Sequence, residues 1–128
     1  MEIIEVTDNK EQYMELLMLG DAQESMIEKY LHRGVLFALY DDFDLKTVAV
    51  VTKEDNETCE IKNIVSIYQG KGYGSSMMKH IIQHYKSQCK RLIVDTGENE
   101  KALLFYEKLG FVYSHTIQNM VYFKLEYK

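Results

Sequence analysis

Gln69-Gly70-Lys71-Gly72-Tyr73-Gly74-Ser75 is the stretch on which the fold turns. Behind it, Thr58–Val65 is β-rich. Ahead of it, Met77, Met78, Ile81, Ile82 and Tyr85 fall on one side of a helix. Closely spaced glycines at such a junction admit unusual φ values and close backbone approach. The first amides of a helix lack intrahelical acceptors, and the helix dipole favours anions there. A pyrophosphate is a natural guest, although a plain glycine-rich strand-to-helix turn accounts for the glycines as well. The P-loop pattern requires Gly-Lys-Ser/Thr, and here Gly70-Lys71 is followed by Gly72. A dinucleotide fold places its glycines after the first strand of a βαβ unit. Several hairpin strands come first in this chain, but Asp95 closes the next strand about 20 residues on, so spacing leaves that rival open.

Working outward, Glu2–Val6 alternates as a strand. Asp8, three residues before Glu11, resembles the start of a capping box. Tyr13, Leu16 and Leu17 mark one helical face, Ile27, Tyr30 and Leu31 another, and Gly20 breaks the two. Val35–Tyr40 and Thr47–Thr52 form a hairpin around Asp41–Asp44, and Asp55-Asn56 turns the chain into Thr58–Val65. After the glycine helix, Arg91–Asp95 is a short strand. Asn99–Leu109 is a helix stopped by Gly110, a favoured C′ residue. Phe111–Ile117 and Met120–Tyr127 close the chain as a hairpin. This order predicts a mixed α/β sheet. Its first half is antiparallel, and a parallel strand–helix–strand crossover surrounds the glycines.

The bulk properties set limits. The 128 residues, 46% hydrophobic and 27% charged, suit one domain, 1–128, with a single core. A net charge of −5 argues against a nucleic-acid partner. The apolar runs are too short to span a bilayer, and the N-terminus reads as a strand rather than a leader. Two cysteines, Cys59 and Cys89, make neither a disulfide framework nor a zinc site, which favours the cytoplasm. His80 and His84 are spaced i,i+4 as in metal pairs, yet they lack a third ligand and read as a solvated face; no metal is expected.

Two motifs carry a family resemblance. Gln69-x-x-Gly72-x-Gly74 resembles the acyl-CoA pyrophosphate motif of the GNAT superfamily, Q/R-x-x-G-x-G/A. Asn99-x-x-Ala102-x-x-Phe105-Tyr106-Glu107-Lys108-Leu109-Gly110-Phe111 resembles its second hallmark, N-x-x-A-x-x-hydrophobic-Y-x-K-x-G-F. They stand in order, one helix and one strand apart. The segment Val65-Ser66-Ile67-Tyr68 is shorter than the family's usual V-x-P-x-Y and lacks its proline.

The resemblance implies a GNAT-like fold and an acetyl-CoA-dependent N-acetyltransferase acting on a small-molecule or protein amine. It implies that Gln69, Gly70, Lys71, Gly72, Tyr73, Gly74 and Ser75 hold the CoA pyrophosphate. Strand Glu60–Val65, through Ile64 and Val65, would pair with the pantetheine arm, and Asn99 would contact the cofactor. Tyr106 would protonate the leaving thiolate and Glu60 would serve as base. Each has a second reading: Tyr106 as a core aromatic, Glu60 as a solvated strand residue, Asn99 as a helix cap. A tyrosine at pKa ~10 and a thiol at ~8.5 leave proton transfer ~1.5 units uphill, a gap that a hydrogen bond from Tyr106 would largely offset and a modest local shift would close. A non-catalytic acyl-CoA-binding module on the same fold is the other functional reading. The closing strand Met120–Tyr127, if exposed, would suit a homodimer.

Overall fold

Short turns dictate the N-terminal half of the sheet. In the computed structural model, which describes residues 1–128, β1 (Glu2–Val6) pairs antiparallel with β2 (Val35–Asp41), and β2 with β3 (Asp44–Lys53). The β2–β3 turn is two residues long, Asp42 at φ 52° and Phe43 at φ 66°. That left-handed pair matches the twist of the flanking strands and carries the ladder to Asp41↔Asp44, beyond the expected strand ends. At the next turn the Asp55 carboxylate accepts the amides of Glu57 (2.8 Å) and Thr58 (2.9 Å), which starts β4 (Thr58–Ser66). β4 lies antiparallel to β3 and parallel to β5 (Arg91–Gly97).

The capping box does not form. Asn9 adopts φ 52°, a conformation asparagine tolerates, and a 3₁₀ turn, Lys10–Tyr13, leads into α1 (Met14–Gly20) with no side-chain cap. Lys10 instead reaches the carbonyls of Leu31 (3.1 Å) and Gly34 (2.7 Å) at the end of α2 (Glu24–Arg33). Gly20 ends α1 as expected.

Helix α3 (Tyr73–Tyr85) crosses from β4 to β5, and α4 (Glu100–Lys108) leads into the closing hairpin β6 (Val112–Ile117) and β7 (Met120–Glu126). The sheet order is β1-β2-β3-β4-β5-β7-β6. β7 is therefore interior, between β5 and β6, and is not an exposed terminal strand; the edge is β6. Its alternating Val121, Phe123 and Leu125 fit an inner strand, whereas Ser114, His115 and Thr116 suit an edge. A dinucleotide fold needs a run of parallel strands, and only β4–β5 is parallel here.

The sheet separates two cores. Phe37, Leu39, Ala49 and Val51 face α3 and α4, with Met77, Met78, Ile81 and Tyr106. Leu36, Ala38, Val48 and Val50 face α1 and α2, with Leu17, Ile27 and Leu31. His80 and His84 do not form a solvated face. They pack edge-on against Phe37, with ring centroids at 5.5 and 5.1 Å, and burial holds the His80 pKa below its ordinary value, with His84 adding to the shift.

Candidate active site

β4 is paired with β3 along its length, from Lys53↔Cys59 to Thr47↔Ser66. Its pairing with β5 stops at Ile61↔Val94, although β4 runs on to Ser66 and β5 to Gly97. A bulge coincides with the parting. Val51 opposes Ile61 and Val50 opposes Asn63, so Lys62 is the extra residue. Such a residue bends and twists its strand. It also reverses the faces of β4: Cys59 and Ile61 belong to the α3 side, whereas Asn63 and Val65 belong to the α1–α2 side. Where the strands part, a cleft of about 710 Å3 opens.

One end of the cleft is the glycine turn. Gly70 and Gly72 sit at φ 74° and 80°, and a Cβ at either would meet nothing within 4 Å. Backbone conformation, not lack of room, requires glycine there. Gly72 is the N-cap of α3 and offers no side-chain oxygen. The first helical bond is Ser76 N–H to the Gly72 carbonyl at 3.0 Å, so the amides of Tyr73, Gly74 and Ser75 have no backbone acceptor. Gln69, Gly70, Gly72, Tyr73, Gly74 and Ser75 all line the cleft; Lys71 is exposed and does not.

Ile64 and Val65, on the unpaired stretch of β4, form the floor. The far wall is α4. Asn99 caps this helix, its Oδ1 accepting from Lys101 N–H at 2.9 Å and Ala102 N–H at 3.4 Å, and it lines the cleft as well. Tyr106 is packed against Phe105, Phe111 and Phe123 and still borders the cleft. Core packing and a place in the site are thus compatible. Burial, with the Asp95 charge adding to it, pushes the Tyr106 hydroxyl up to about 12. The shift is opposite to the one that would ease proton donation.

Glu60 is not in the cleft lining. It lies just before the parting, on the face of β4 opposite Cys59 and Ile61. It is not solvated: it is 9% exposed and 3.2 Å from Lys62, which also approaches Glu54 at 3.9 Å. Burial raises the Glu60 pKa; Lys62 opposes the shift, and the charges of Asp95 and Glu54 add to it.

Sequence reasoning missed a neighbouring network. Asn63, 6% exposed, donates from Nδ2 to the Leu17 carbonyl (2.9 Å) and to the Tyr30 hydroxyl (3.1 Å). Tyr30 in turn donates to Asp21 at 3.3 Å. Both Nδ2 protons are used, so the amide cannot flip, and Oδ1 is left as the one buried side-chain polar atom without a partner. It faces Gly20, where an added Cβ would lie 2.3 Å away. Leu19 and Gly20 line the cleft beside this network, as do Ser66, Tyr68, Lys101, Ala102 and Phe105. No periodicity marks these positions.

Comparison with known proteins bears on the family and the fold. The profile of the acetyltransferase (GNAT) family matches residues 10–111. The uncharacterized N-acetyltransferase YvbK of Bacillus subtilis (strain 168) is 29% identical over 108 residues, spanning 81% of this chain and 70% of that protein. A spermine/spermidine N(1)-acetyltransferase of the same organism is 40% identical over 50 residues, 37% of this chain and 33% of that protein. The crystal structure of a GNAT family acetyltransferase from Elizabethkingia anophelis with acetyl-CoA bound superposes with a TM-score of 0.88 at 26% identity, over 98% of this chain and 97% of that one.

Proposed function

This chain belongs to the acetyltransferase (GNAT) family, and we propose that it transfers an acetyl group from acetyl-CoA to a primary amine by direct attack, without a covalent enzyme intermediate. The observation that carries the reading is a single cleft bordered by the glycine turn, the unpaired edge of β4, Asn99 and Tyr106.

The free amides of Tyr73, Gly74 and Ser75, at the positive end of α3, suit a pyrophosphate. Gln69, Gly70, Lys71 and Gly72 complete that turn. The unpaired main chain of β4 at Ile64 and Val65 suits the pantetheine amides, as a sheet edge accepts a further strand. An N–H of the same edge would meet the negative charge that gathers on the carbonyl oxygen. Asn99 steadies the opposite wall. Holding donor and acceptor side by side supplies much of the rate.

Tyr106 would hydrogen-bond the leaving sulfur. With its hydroxyl at about 12, transfer to a thiolate of ordinary pKa ~8.5 is uphill by ~3.5 units, or ~5 kcal/mol. Its part is therefore to stabilise charge on sulfur by a hydrogen bond, not to surrender its proton outright. Glu60 is the proposed base, on the face of β4 turned toward α1 and α2. Its raised pKa brings its proton affinity nearer neutrality. We further propose a cationic acceptor, favoured by Asp21 and Glu60 and by the exposed Glu24 and Glu28 on α2. Both cysteines are free, in keeping with the cytoplasm. A homodimer would have the β6 edge available.

The deciding experiment is an acceptor screen with acetyl-CoA, read by release of free thiol. Polyamines head the panel because of the local similarity to the spermine/spermidine enzyme; lysine peptides, free peptide N-termini and aminoglycosides follow. Amine-dependent thiol release supports the reading. CoA binding with no turnover on any amine would favour the non-catalytic binding module.

A further inference from the structure

Four of the lysines are not exposed: Lys10, Lys46, Lys62 and Lys124. Three of them are matched by oxygen. Lys10 is bound to the carbonyls of Leu31 and Gly34, Lys62 to Glu54 and Glu60, and Lys124 to Glu126. Lys46 has no oxygen partner. Its ammonium lies over the ring of Tyr68, 4.8 Å from the centroid, and 5.9 Å from that of Tyr73. Cation–π attraction offsets only part of the cost of withdrawing an ammonium from water.

Tyr68 and Tyr73 flank the glycine turn on either side, and both line the cleft. Asp41, a carboxylate beside Tyr73, is already engaged by the Tyr73 hydroxyl at 2.9 Å and by the N-terminal ammonium at 3.6 Å. The Lys46 main chain is fastened to the strand that enters the turn: its carbonyl accepts Ile67 N–H at 2.8 Å, and next to it Thr47 Oγ1 and Ser66 Oγ lie 2.7 Å apart. A positive charge without an anion is thus held on a rigid base, between two rings that frame the entrance to the cleft.

We propose that Lys46, which lies outside both family motifs, grips a phosphate at the nucleotide end of the acyl-CoA, with the Tyr68 and Tyr73 rings steering its ammonium toward the mouth. The proposal rests on the cofactor reading above and adds to it a charged contact from outside the glycine turn. The pyrophosphate and the 3′-phosphate share the required chemistry.

Dissociation constants for CoA and for 3′-dephospho-CoA on the wild-type protein, Lys46→Met and Lys46→Arg decide the matter, with thermal melting to check folding. Loss of a charged hydrogen bond should weaken CoA binding to Lys46→Met roughly 10- to 100-fold, and its dependence on salt should become shallower. Lys46→Arg should stay within a few-fold of wild type. Weakening for CoA alone assigns the 3′-phosphate, and equal weakening for both ligands assigns the pyrophosphate; either supports the proposal. Wild-type protein that binds CoA while Lys46→Met binds it within twofold would overturn the proposal and leave the cofactor reading standing. So would a Lys46→Arg as weak as a folded Lys46→Met, because the loss would then come from packing. A wild-type protein that does not bind CoA refutes the cofactor reading, and this proposal with it.

Discussion

On the side of the cleft formed by Gln69–Ser75, the inward polar groups are main-chain amides freed by the start of α3. Behind the side formed by β4 and α1, outside the cleft lining itself, the polar groups are side chains: Asn63 held by the Leu17 carbonyl and Tyr30, Tyr30 by Asp21, Lys62 by Glu54 and Glu60. The first kind of site depends on where the backbone turns and needs little beyond glycines at set intervals. The second depends on which residues meet after folding, from Leu17 to Asn63. The cofactor side should therefore respond to changes of conformation and charge in one short segment. The side proposed for the acceptor should respond to changes of shape at scattered positions.

The harshest test of that contrast is Gly72→Asp. A side chain at φ 80° is strained whatever the open space around it, at about 1–3 kcal/mol. A carboxylate facing a bound phosphate adds like-charge repulsion of several kcal/mol. CoA affinity should fall by more than roughly 10³-fold while the melting curve stays cooperative. Unchanged affinity in a folded variant would remove the amide site.

The pH profile probes the other side. A lysine-like acceptor of pKa ~10.4 gains neutral amine about tenfold per pH unit, so kcat/KM should climb from pH 6 to 9. The Tyr106 pKa is raised, which keeps its hydroxyl protonated below about 12, so no descending limb should arise from it in that window. A flat profile, or a preference for anionic acceptors, would contradict the assignment of a cationic acceptor.

Tyr106→Phe keeps the ring against Phe111 and Phe123 and deletes the hydroxyl. Removing a donor to developing charge should lower kcat by roughly 10²-fold and leave the KM for acetyl-CoA within a few-fold, because the interaction strengthens as charge develops. Turnover within threefold of wild type, with chemistry shown to be rate-limiting, would reduce Tyr106 to a core aromatic.

Gly20→Ala should have the smallest and most selective effect. Its Cβ would fall 2.3 Å from Asn63 Oδ1, so the Asn63 side chain or the end of α1 must move, at about 1–3 kcal/mol of stability for overpacking. The KM for the amine should rise several-fold while CoA affinity holds. If CoA affinity dropped equally, the two sides would not be separable.

The difference also explains what could be read in advance. The glycine turn, the Asn99 cap and the strand–helix–strand around them were legible because local conformation demands those residue types. The capping box at Asp8–Glu11 was misread because Asn9 takes a left-handed conformation that competes with it. The place of β7 was misread because hairpin spacing says which strands are joined, not which of them docks on β5. The Asn63 network left no trace at all. Its members share neither spacing nor period, and only the parity change in β4 turns Asn63 toward α1.

Lys62 acts on β4 as an inserted base acts on a reading frame. Upstream of it, odd-numbered residues face α3; downstream, they face α1. A single-residue deletion there would remove the surplus and leave everything that follows on its present face, now in regular alternation with Ile61. Asn63 would still oppose Val50 and face α1, Ile64 and Val65 would keep their sides, and the strand would lose the local bend and twist that carry it away from β5. By this reasoning the opening in the sheet depends on one surplus residue, and a variant of 127 residues lacking Lys62 should fold, if it folds, with the cleft closed.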